Sequence, residues 1–197
     1  MARQDTRARI LVAATDLFGR RGVEAVSLDV IAADVGVAKQ TLLYWFPSKD
    51  ELVGAVMADV AAQLSVAVAA AVRAAPDEPL ARVDAVVRAV FRPAVRRPAL
   101  LGLVREVGRL KPEIAEQLVA ELAPLVDRAT TYLESEMDAG HLRRADPRLL
   151  AALCYATVTG IATEPEALRA VGWDATPVGL RHLRAELGSF LRAALAP

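Results

Sequence analysis

The sequence predicts an all-helical protein, and three observations lead to that prediction. Apolar residues recur at intervals of three and four along the 197-residue chain, which is the period of a helix with one buried face. Alternating apolar and polar runs are nearly absent, as are the Asn-Gly and Asp-Gly turns that join strands. The segments with helical periodicity are bounded by residues that cap helices, namely Ser, Thr or Asp at the starts and Gly at the ends.

The composition is that of a globular chain without a general affinity for nucleic acid. Hydrophobic residues make up 54% of the chain and its formal net charge is zero, so it can bury a large core but lacks an overall basic excess. Residues 1–50 hold seven basic and six acidic side chains, so any DNA binding must depend on a local surface. The charged N-terminus is unlike a secretory signal. We expect a soluble, cytoplasmic protein with no membrane partner.

The first 53 residues are predicted to form three helices followed by the start of a longer one. Gly22 suits the end of the first helix, Ser27 caps the second, and Gly36 suits the tight turn before the third. Pro47 ends the third helix, and Ser48–Glu51, "SKDE", is a capping box that starts the long helix. The residues predicted to be buried in the three helices are Ile10, Ala14, Leu17, Phe18, Leu28, Ile31, Val35, Leu42 and Phe46.

The spacing of the second and third helices is that of a helix-turn-helix, in which the last helix can enter the DNA major groove. Its outward side chains are candidate base readers, since lysine donates to guanine, glutamine pairs with adenine and leucine contacts a thymine methyl: Lys39, Gln40 and Leu43. Candidate phosphate ligands are Ser27, Thr41, Tyr44 and Lys49. Trp45 lies at the edge of the buried face, where DNA contact and packing are both open. Packing alone is also an alternative for Tyr44.

Residues 10–53 resemble the N-terminal DNA-binding domain of TetR-family transcriptional regulators. The shared motifs are "LF..RG" at Leu17–Gly22, "S...IA...GV" at Ser27–Val37 and "T.LY.F.SK..L" at Thr41–Leu52. The resemblance implies a DNA-binding domain over residues 1–53 and an effector-binding and dimerisation domain over residues 54–197. It further implies a homodimer on a palindromic double-stranded DNA operator. A small, largely apolar effector would release that dimer through the long helix that begins at Ser48.

Four residues depart from the family pattern. Ala38 stands where a serine or threonine often caps the recognition helix, and Gln40 stands where glycine is common. Leu43 replaces the first of a usual tyrosine pair, and Trp45 replaces a common histidine. Tyr44 retains the familiar phosphate-contacting tyrosine. Because the outward residues differ, the base preference cannot be transferred from a relative.

Prolines are predicted to divide the second half of the chain into further helices. A long helix runs from Ser48 to about Ala75, and the helices after it are separated by Pro93, Pro98 and Pro112. The next helix contains Pro124 and ends near Gly140. The last two helices are predicted over residues 147–163 and 177–195, because a capping residue and a proline begin each of them.

Apolar faces in the second half predict two sites. The last two helices could form a two-fold four-helix dimer interface through Leu150, Val158, Ile161, Leu183, Leu187, Phe190 and Leu191. Burial of the same faces within one chain is the alternative. An apolar effector pocket is predicted among Phe91, Leu103, Val107, Leu118, Leu122, Tyr155 and Thr159, each of which could instead be an ordinary core residue.

The sequence contains no recognisable catalytic constellation, metal-ligand spacing or cofactor motif. We therefore predict no enzymatic activity, no cofactor and no metal. The leading prediction is a ligand-responsive transcriptional regulator, most often a repressor. A ligand-independent repressor or an activator of the same fold is one alternative. An all-helical ligand carrier or enzyme, in which the first three helices only pack, is the other.

Overall fold

The computed structural model describes residues 2–97, 99–153, 156, 169–174 and 176–197. No residue in these ranges lies in a β-strand, and the predicted all-α fold class is confirmed. The helices are α1 (Ala2–Arg21), α2 (Leu28–Val35), α3 (Lys39–Trp45), α4 (Lys49–Ala74), α5 (Pro79–Arg96), α6 (Ala99–Val107), α7 (Pro112–Asp138) and α8 (Pro177–Leu195). A further helical segment covers residues 147–153.

The helices belong to two compact units. The first unit comprises Met1–Ala62 and Arg97–Glu121, and the second comprises Gln63–Arg96 and Leu122–Pro197. Helices α4 and α7 each contribute residues to both units. The first unit is therefore larger than the 53 residues expected to bind DNA. The predicted functional boundary after residue 53 stays a prediction.

The helix ends of the first unit form where the sequence predicts them. Gly22 has φ 82°, and its amide donates to the Phe18 carbonyl at 2.9 Å. The Ser27 hydroxyl accepts from the Val30 amide at 3.3 Å, and Gly36 follows α2 with φ 74°. At the start of α4 the Ser48 hydroxyl accepts from the Glu51 amide at 3.1 Å. Local chemistry thus sets the limits of the helix-turn-helix.

The helices α1, α2, α3 and α4 share one apolar core with α6. Ile10, Phe18, Ile31 and Leu42 are completely buried in it. The other buried members are Leu11, Ala14, Leu17, Val26, Ala32, Val35, Phe46, Leu52, Val53, Val56, Met57 and Leu103. All the residues predicted to be buried in the first three helices belong to this core or, in the case of Leu28, pack against it.

Two glycines allow α1 and α6 to cross with their backbones in contact. A Cβ atom on Gly102 would lie 1.7 Å from the Gly19 carbonyl oxygen, and one on Gly19 would lie 2.0 Å from the Ala99 carbonyl oxygen. Near this crossing the Glu106 carboxylate, which is 6% exposed, accepts from the Val23 amide at 2.9 Å. Helix α6 therefore holds both the end of α1 and the loop that leads to α2.

The prolines of the second half have different effects from one another. Pro112 is the first residue of α7, and Pro124 lies within that helix without ending it, both as predicted. The prediction that Pro93 separates two helices is wrong, because α5 continues through it to Arg96. An interior proline removes one helical hydrogen bond, but the buried face of α5, with Ala85, Ala89 and Phe91, stabilises the helix through packing. Pro98 lies outside the described residues.

The second unit contains a packed pair of helices, α5 and α8. The Thr176 hydroxyl caps α8 by accepting from the Gly179 amide at 3.0 Å, and the Arg192 guanidinium donates to the Asp84 carboxylate. The Asp146 carboxylate caps the segment 147–153. A small core forms where Met137, Leu142 and Leu195 meet. The predicted continuation of this segment to residue 163 lies outside the described residues.

The apolar run at residues 60–72, which by itself is too short to cross a bilayer, belongs to the 26-residue helix α4. Among the described residues α4 is the one helix long and apolar enough, by length and composition only, to cross a membrane. This is weak evidence, because Leu52, Val53 and Val56 of the same helix are buried in the core of the first unit. We interpret α4 as a helix that packs within the protein.

Candidate nucleic-acid interface

Helix α3 is held to the first unit by two residues one turn apart. Leu42 is completely buried and Phe46, which follows the last residue of the helix, is 3% exposed. With only seven residues, α3 is too short to be stable by itself in water. Its position therefore depends on these two side chains.

The face of α3 opposite Leu42 is accessible to a ligand. Lys39, Gln40 and Thr41 are exposed, and Tyr44 has 67% of its surface exposed. Leu43 is half-buried. An exposed run of amine, amide, hydroxyl and phenol groups on a short helix supplies the donors and acceptors that base edges and phosphates require. Ser27, at the start of α2, is exposed as well.

Trp45 contacts both the core and the exposed face. It is half-buried and packs against the core of the first unit. Its ring meets Tyr44 edge to face, with ring centroids 5.3 Å apart and an interplanar angle of 83°. This contact restricts the orientation of the Tyr44 ring. The structure thus favours packing, the second of the two roles open for Trp45.

Several positively charged side chains around the helix-turn-helix already contact carboxylate or carbonyl oxygens of the protein itself. The Lys39 ammonium contacts the Asp29 carboxylate at 2.8 Å, and the Lys49 ammonium contacts the Glu24 carbonyl oxygen at 3.4 Å. The Arg9 guanidinium donates to the Val35 carbonyl at 2.5 Å. These contacts reduce the number of positive charges that are available to phosphates without rearrangement.

Residues 2–10 are the beginning of α1. The Arg7 guanidinium lies 5.3 Å from the centre of the Phe46 ring, an attractive cation–π distance. Arg7 and Arg9 therefore both hold α1 to the neighbouring helices. The side chain of Arg3 lies outside the described residues.

An open groove of about 710 Å³ lies beside α3 in the same unit. Helix α4 and the first turns of α7 line it with five carboxylates, from Asp50, Glu51, Asp59, Glu113 and Glu121. Its remaining lining includes Arg7, Trp45 and Phe46. A surface with this excess of carboxylates repels phosphates. DNA is therefore expected at the face of α3 that carries Gln40 and Tyr44.

The residue that precedes α3 leaves the start of the helix uncapped by a side chain. Ala38 has the extended conformation of a cap residue, with φ −67° and ψ 145°, but it has no side-chain oxygen to accept from the helix amides. Serine or threonine at such a position stabilises a helix by about 1 kcal/mol relative to alanine.

We therefore expect the Ala38→Ser variant to be more stable than the wild type. The gain in the free energy of unfolding should be about 0.5–1 kcal/mol, because the new hydroxyl can accept from an amide in the first turn of α3. Denaturation in urea measures it. The Ala33→Ser variant, with the same change at an exposed position inside α2, should be neutral or slightly destabilised. Equal gains in both variants would contradict the capping interpretation.

The residues predicted to line an effector pocket are distributed over both units. Leu103 is buried in the core of the first unit, and Leu118 packs against that core. Val107 is half-buried in the first unit. Phe91 is buried and Leu122 is half-buried in the second unit. Tyr155 and Thr159 lie outside the described residues, and the pocket stays a prediction.

The residues predicted to form a dimer interface differ in exposure. Leu187 and Leu191 are buried within the single chain, on the helix that packs against α5. Leu150 and Leu183 are half-buried, whereas Phe190 has 67% of its surface exposed. Val158 and Ile161 lie outside the described residues. Part of the predicted face thus contributes to the interior of the second unit, and the interface itself stays a prediction.

Two acidic residues near the helix-turn-helix were missed as candidates from the sequence. Asp29 lies in the first turn of α2, ten positions before its partner Lys39. Glu106 lies 83 positions after its partner Val23. Glu106 follows Arg105 in a segment, "ALLGLVREV", whose other residues are apolar or glycine, and this pattern could have indicated a buried carboxylate. No comparable local signal indicates Asp29.

The described residues contain no group of three or more His, Cys, Asp and Glu side chains that could hold a metal ion. His141 contacts Glu136 at 2.8 Å and His182 contacts Glu186 at 3.5 Å. Both pairs are local in sequence, and both histidines are exposed.

The sequence has relatives among bacterial regulators. The family model described as bacterial regulatory proteins, tetR family, matches residues 10–56, which include all of α2 and α3. The HTH-type transcriptional regulator RutR of Escherichia coli K12 is 29% identical over 150 residues, which cover 75% of this chain and 69% of RutR. Over residues 10–56 the chain is thus similar to the TetR family of bacterial regulatory proteins.

Solved structures of the same fold extend over nearly the whole chain. The transcriptional regulator FadR from Bacillus subtilis, in complex with stearoyl-CoA, has a TM-score of 0.80 at 16% identity and covers 95% of this chain and 98% of its own. AibR, in complex with isovaleryl coenzyme A and operator DNA, has a TM-score of 0.74 at 21% identity and covers 94% and 97%. At these identities the similarity shows the fold.

Proposed function

We propose that this protein is a TetR-family repressor that binds a palindromic operator as a homodimer and is released by a small, largely apolar effector. The observation that carries the proposal is that α3 has one buried side and one exposed side. Its buried side, with Leu42 and Phe46, holds the helix on the first unit, while Gln40 and Tyr44 are exposed on the other side. A helix presented in this way can enter a major groove.

The exposed residues are proposed to divide into base readers and phosphate ligands. Lys39, Gln40 and Leu43 read base edges, since they offer an ammonium, an amide and a methyl-contacting side chain. Ser27, Thr41, Tyr44 and Lys49 contact phosphates, and Trp45 supports the Tyr44 ring. Because few cations lie on this surface without an internal partner, the salt dependence of binding should be moderate for a DNA-binding protein.

Dimerisation is proposed to occur through the last two helices of the chain. Phe190 offers an exposed aromatic side chain on α8, two turns along the same helix from the half-buried Leu183. Burial of such residues at a two-fold axis would relate the two copies of α3 by the same symmetry. Two-fold symmetry then requires an operator with two inverted half-sites.

The effector is proposed to act by a shift between two arrangements of the dimer. It binds one arrangement more tightly, and in that arrangement the two α3 helices no longer match successive major grooves. Helix α4 is the proposed connection, because it begins directly after the helix-turn-helix and contributes residues to both units. Two solved structures of the same fold contain acyl-coenzyme A thioesters, so these compounds belong in the first test panel.

The proposal is tested by footprinting the protein on the DNA that flanks its own coding region. Protection of an inverted repeat, which is weakened by salt and lost on addition of an acyl-coenzyme A or of a small apolar compound, is the expected result. Repression that no compound in the panel relieves would support the ligand-independent form of the function. Absence of sequence-selective binding to this DNA, and to duplexes selected from a random library, would contradict the proposal.

Lysine and glutamine substitutions should separate the two kinds of DNA contact. The Lys49→Ala variant is expected to bind all duplexes more weakly and to lower the slope of log K against log salt by about 0.9, which is the loss of one phosphate contact. The Gln40→Ala variant should instead lose about 1–3 kcal/mol of discrimination at one base pair in each half-site. Titrations of fluorescent duplexes at several salt concentrations measure both quantities.

Lys111 supplies the charge control, because it is an exposed lysine of the same unit that is not a proposed DNA ligand, and its ammonium contacts Asp50. The Lys111→Ala variant should leave the slope and the base preference unchanged. If the Lys49 and Gln40 variants behave alike, the division into phosphate ligands and base readers is wrong.

A further inference from the structure

A single ion pair connects the beginnings of the two helices of the helix-turn-helix. Asp29 is the second residue of α2 and Lys39 is the first residue of α3. The Lys39 ammonium nitrogen lies 2.8 Å from a carboxylate oxygen of Asp29, and the two side chains are 51% and 63% exposed. The pair is therefore at the surface, where the first turns of α2 and α3 come together.

A carboxylate at this place is unfavourable for a surface that only binds phosphates, because like charges repel. A lysine at the same place would contact phosphate nonspecifically if its ammonium were not held. The ion pair changes both properties, because the positive charge of Lys39 and the negative charge of Asp29 sum to zero. It leaves a neutral pair of groups, with hydrogen-bond donors beside an acceptor.

The geometry of the pair leaves hydrogen-bonding capacity on both sides. An ammonium group has three donors and a carboxylate accepts several hydrogen bonds, whereas the contact between Lys39 and Asp29 uses one of each. The contact also limits the motion of the long lysine side chain, which otherwise loses about 2 kcal/mol of rotamer entropy when it becomes fixed. The pair can thus contact a base pair without first separating.

We propose that Asp29 and Lys39 together read one G·C base pair in each half-site, an inference that rests on the proposed binding of α3 in the major groove. The major-groove edge of this base pair carries the acceptors N7 and O6 on guanine beside the N4 amino donor on cytosine. Lys39 donates to the guanine, and Asp29 accepts from the cytosine. At an A·T pair the one amino donor, adenine N6, lies between the acceptors N7 and thymine O4, so two adjacent acceptors followed by a donor are not available to Lys39 and Asp29. Asp29 is accordingly a specificity-determining residue.

In the rival mechanism the ion pair separates when DNA binds. Lys39 then contacts a phosphate, and Asp29 only repels the DNA. The two mechanisms predict opposite effects of removing the carboxylate charge. If the pair reads a base pair, the Asp29→Asn variant loses discrimination and releases Lys39 towards phosphates. If the pair separates, the variant binds every duplex more tightly and keeps its discrimination.

The experiment begins with the wild-type protein and a random duplex library, from which it selects a preferred sequence. Dissociation constants are then measured for the selected duplex, for every single base-pair substitution in one half-site, and for a scrambled duplex of the same length. The measurements are repeated at several salt concentrations with the variants Asp29→Asn, Asp29→Glu and Asp34→Asn. Thermal melting of each variant controls for folding.

Asp34→Asn is the matched control because Asp34 is an exposed aspartate of the same helix, and its replacement changes the net charge equally. The expected result is a G·C requirement at one position, which weakens about tenfold in Asp29→Asn and stays unchanged in Asp34→Asn. The salt slope of Asp29→Asn should rise by up to about 0.9 as Lys39 contacts a phosphate. Asp29→Glu, which keeps the carboxylate, should restore most of the discrimination.

Other outcomes overturn the inference in distinguishable ways. If the wild type selects no sequence, the proposed function fails and the inference fails with it. If the wild type selects a sequence but Asp29→Asn has the same base preferences, the inference alone fails. An effect of equal size in Asp34→Asn assigns the change to net charge and overturns the role of the pair.

Discussion

The Leu42→Ala variant is expected to lose both stability and DNA binding. Leu42 is completely buried in the core of the first unit, and replacing a buried leucine by alanine typically costs about 2–5 kcal/mol. Because α3 has only seven residues, the loss of this contact should also leave the helix poorly fixed. The variant should therefore bind every duplex weakly, whatever its sequence. Urea denaturation and duplex titration measure the two effects.

The neighbouring Leu43 offers a matched comparison on the same helix. It is half-buried and lies on the side proposed to face DNA, so Leu43→Ala should change the free energy of unfolding by less than about 1 kcal/mol. Its effect should instead concern base preference, through loss of contact with a thymine methyl. Similar stability in the two variants would show that Leu42 does not anchor α3 as the structure indicates.

The Gly102→Ala variant is expected to destabilise the first unit by about 2 kcal/mol or more, as overpacked cores do. Its new Cβ atom would lie 1.7 Å from the Gly19 carbonyl oxygen, and a backbone atom cannot move aside by changing rotamer. The helices α1 and α6 must then separate, which also disturbs the contact between Glu106 and the Val23 amide. DNA binding should weaken as well, because α1 packs against α2 and α3.

The sign of this effect distinguishes a glycine at a close helix crossing from a glycine with free space around it. In a helix without close neighbours, glycine to alanine stabilises by about 1 kcal/mol. Gly108 lies six positions further along, in a turn where an added Cβ would meet no atom within 4 Å. The Gly108→Ala variant should keep the melting temperature of the wild type or raise it. A Gly102→Ala variant as stable as this control would rule out the close crossing of α1 and α6.

Helix limits in the first unit could be predicted from the sequence because they depend on neighbouring residues. Ser27 and Ser48 accept from amides three positions later, and Gly22 and Gly36 adopt positive φ angles. The buried side of α3 followed from the spacing of Leu42 and Phe46. Each of these features involves residues within one or two helical turns, so the sequence alone contains the required information.

Pro93 illustrates where the local argument fails. A proline inside a helix is unfavourable by about 3 kcal/mol, and the sequence therefore indicated a break. The structure continues α5 to Arg96, because the buried face of the helix outweighs the local cost. Propensity is a weak indicator when tertiary packing acts on the same residues.

The all-helical class, the helix-turn-helix and the buried side of α3 can all be predicted without coordinates, because periodicity and capping are local properties. Contacts between distant residues become visible only in the folded chain. The fold places Gly102 against Gly19, Glu106 against Val23, and Asp29 against Lys39. Such contacts depend on how helices cross in space, and no spacing along the chain encodes a crossing. For the same reason the sequence named the residues that could face DNA, but it did not indicate that one of them is held by a carboxylate.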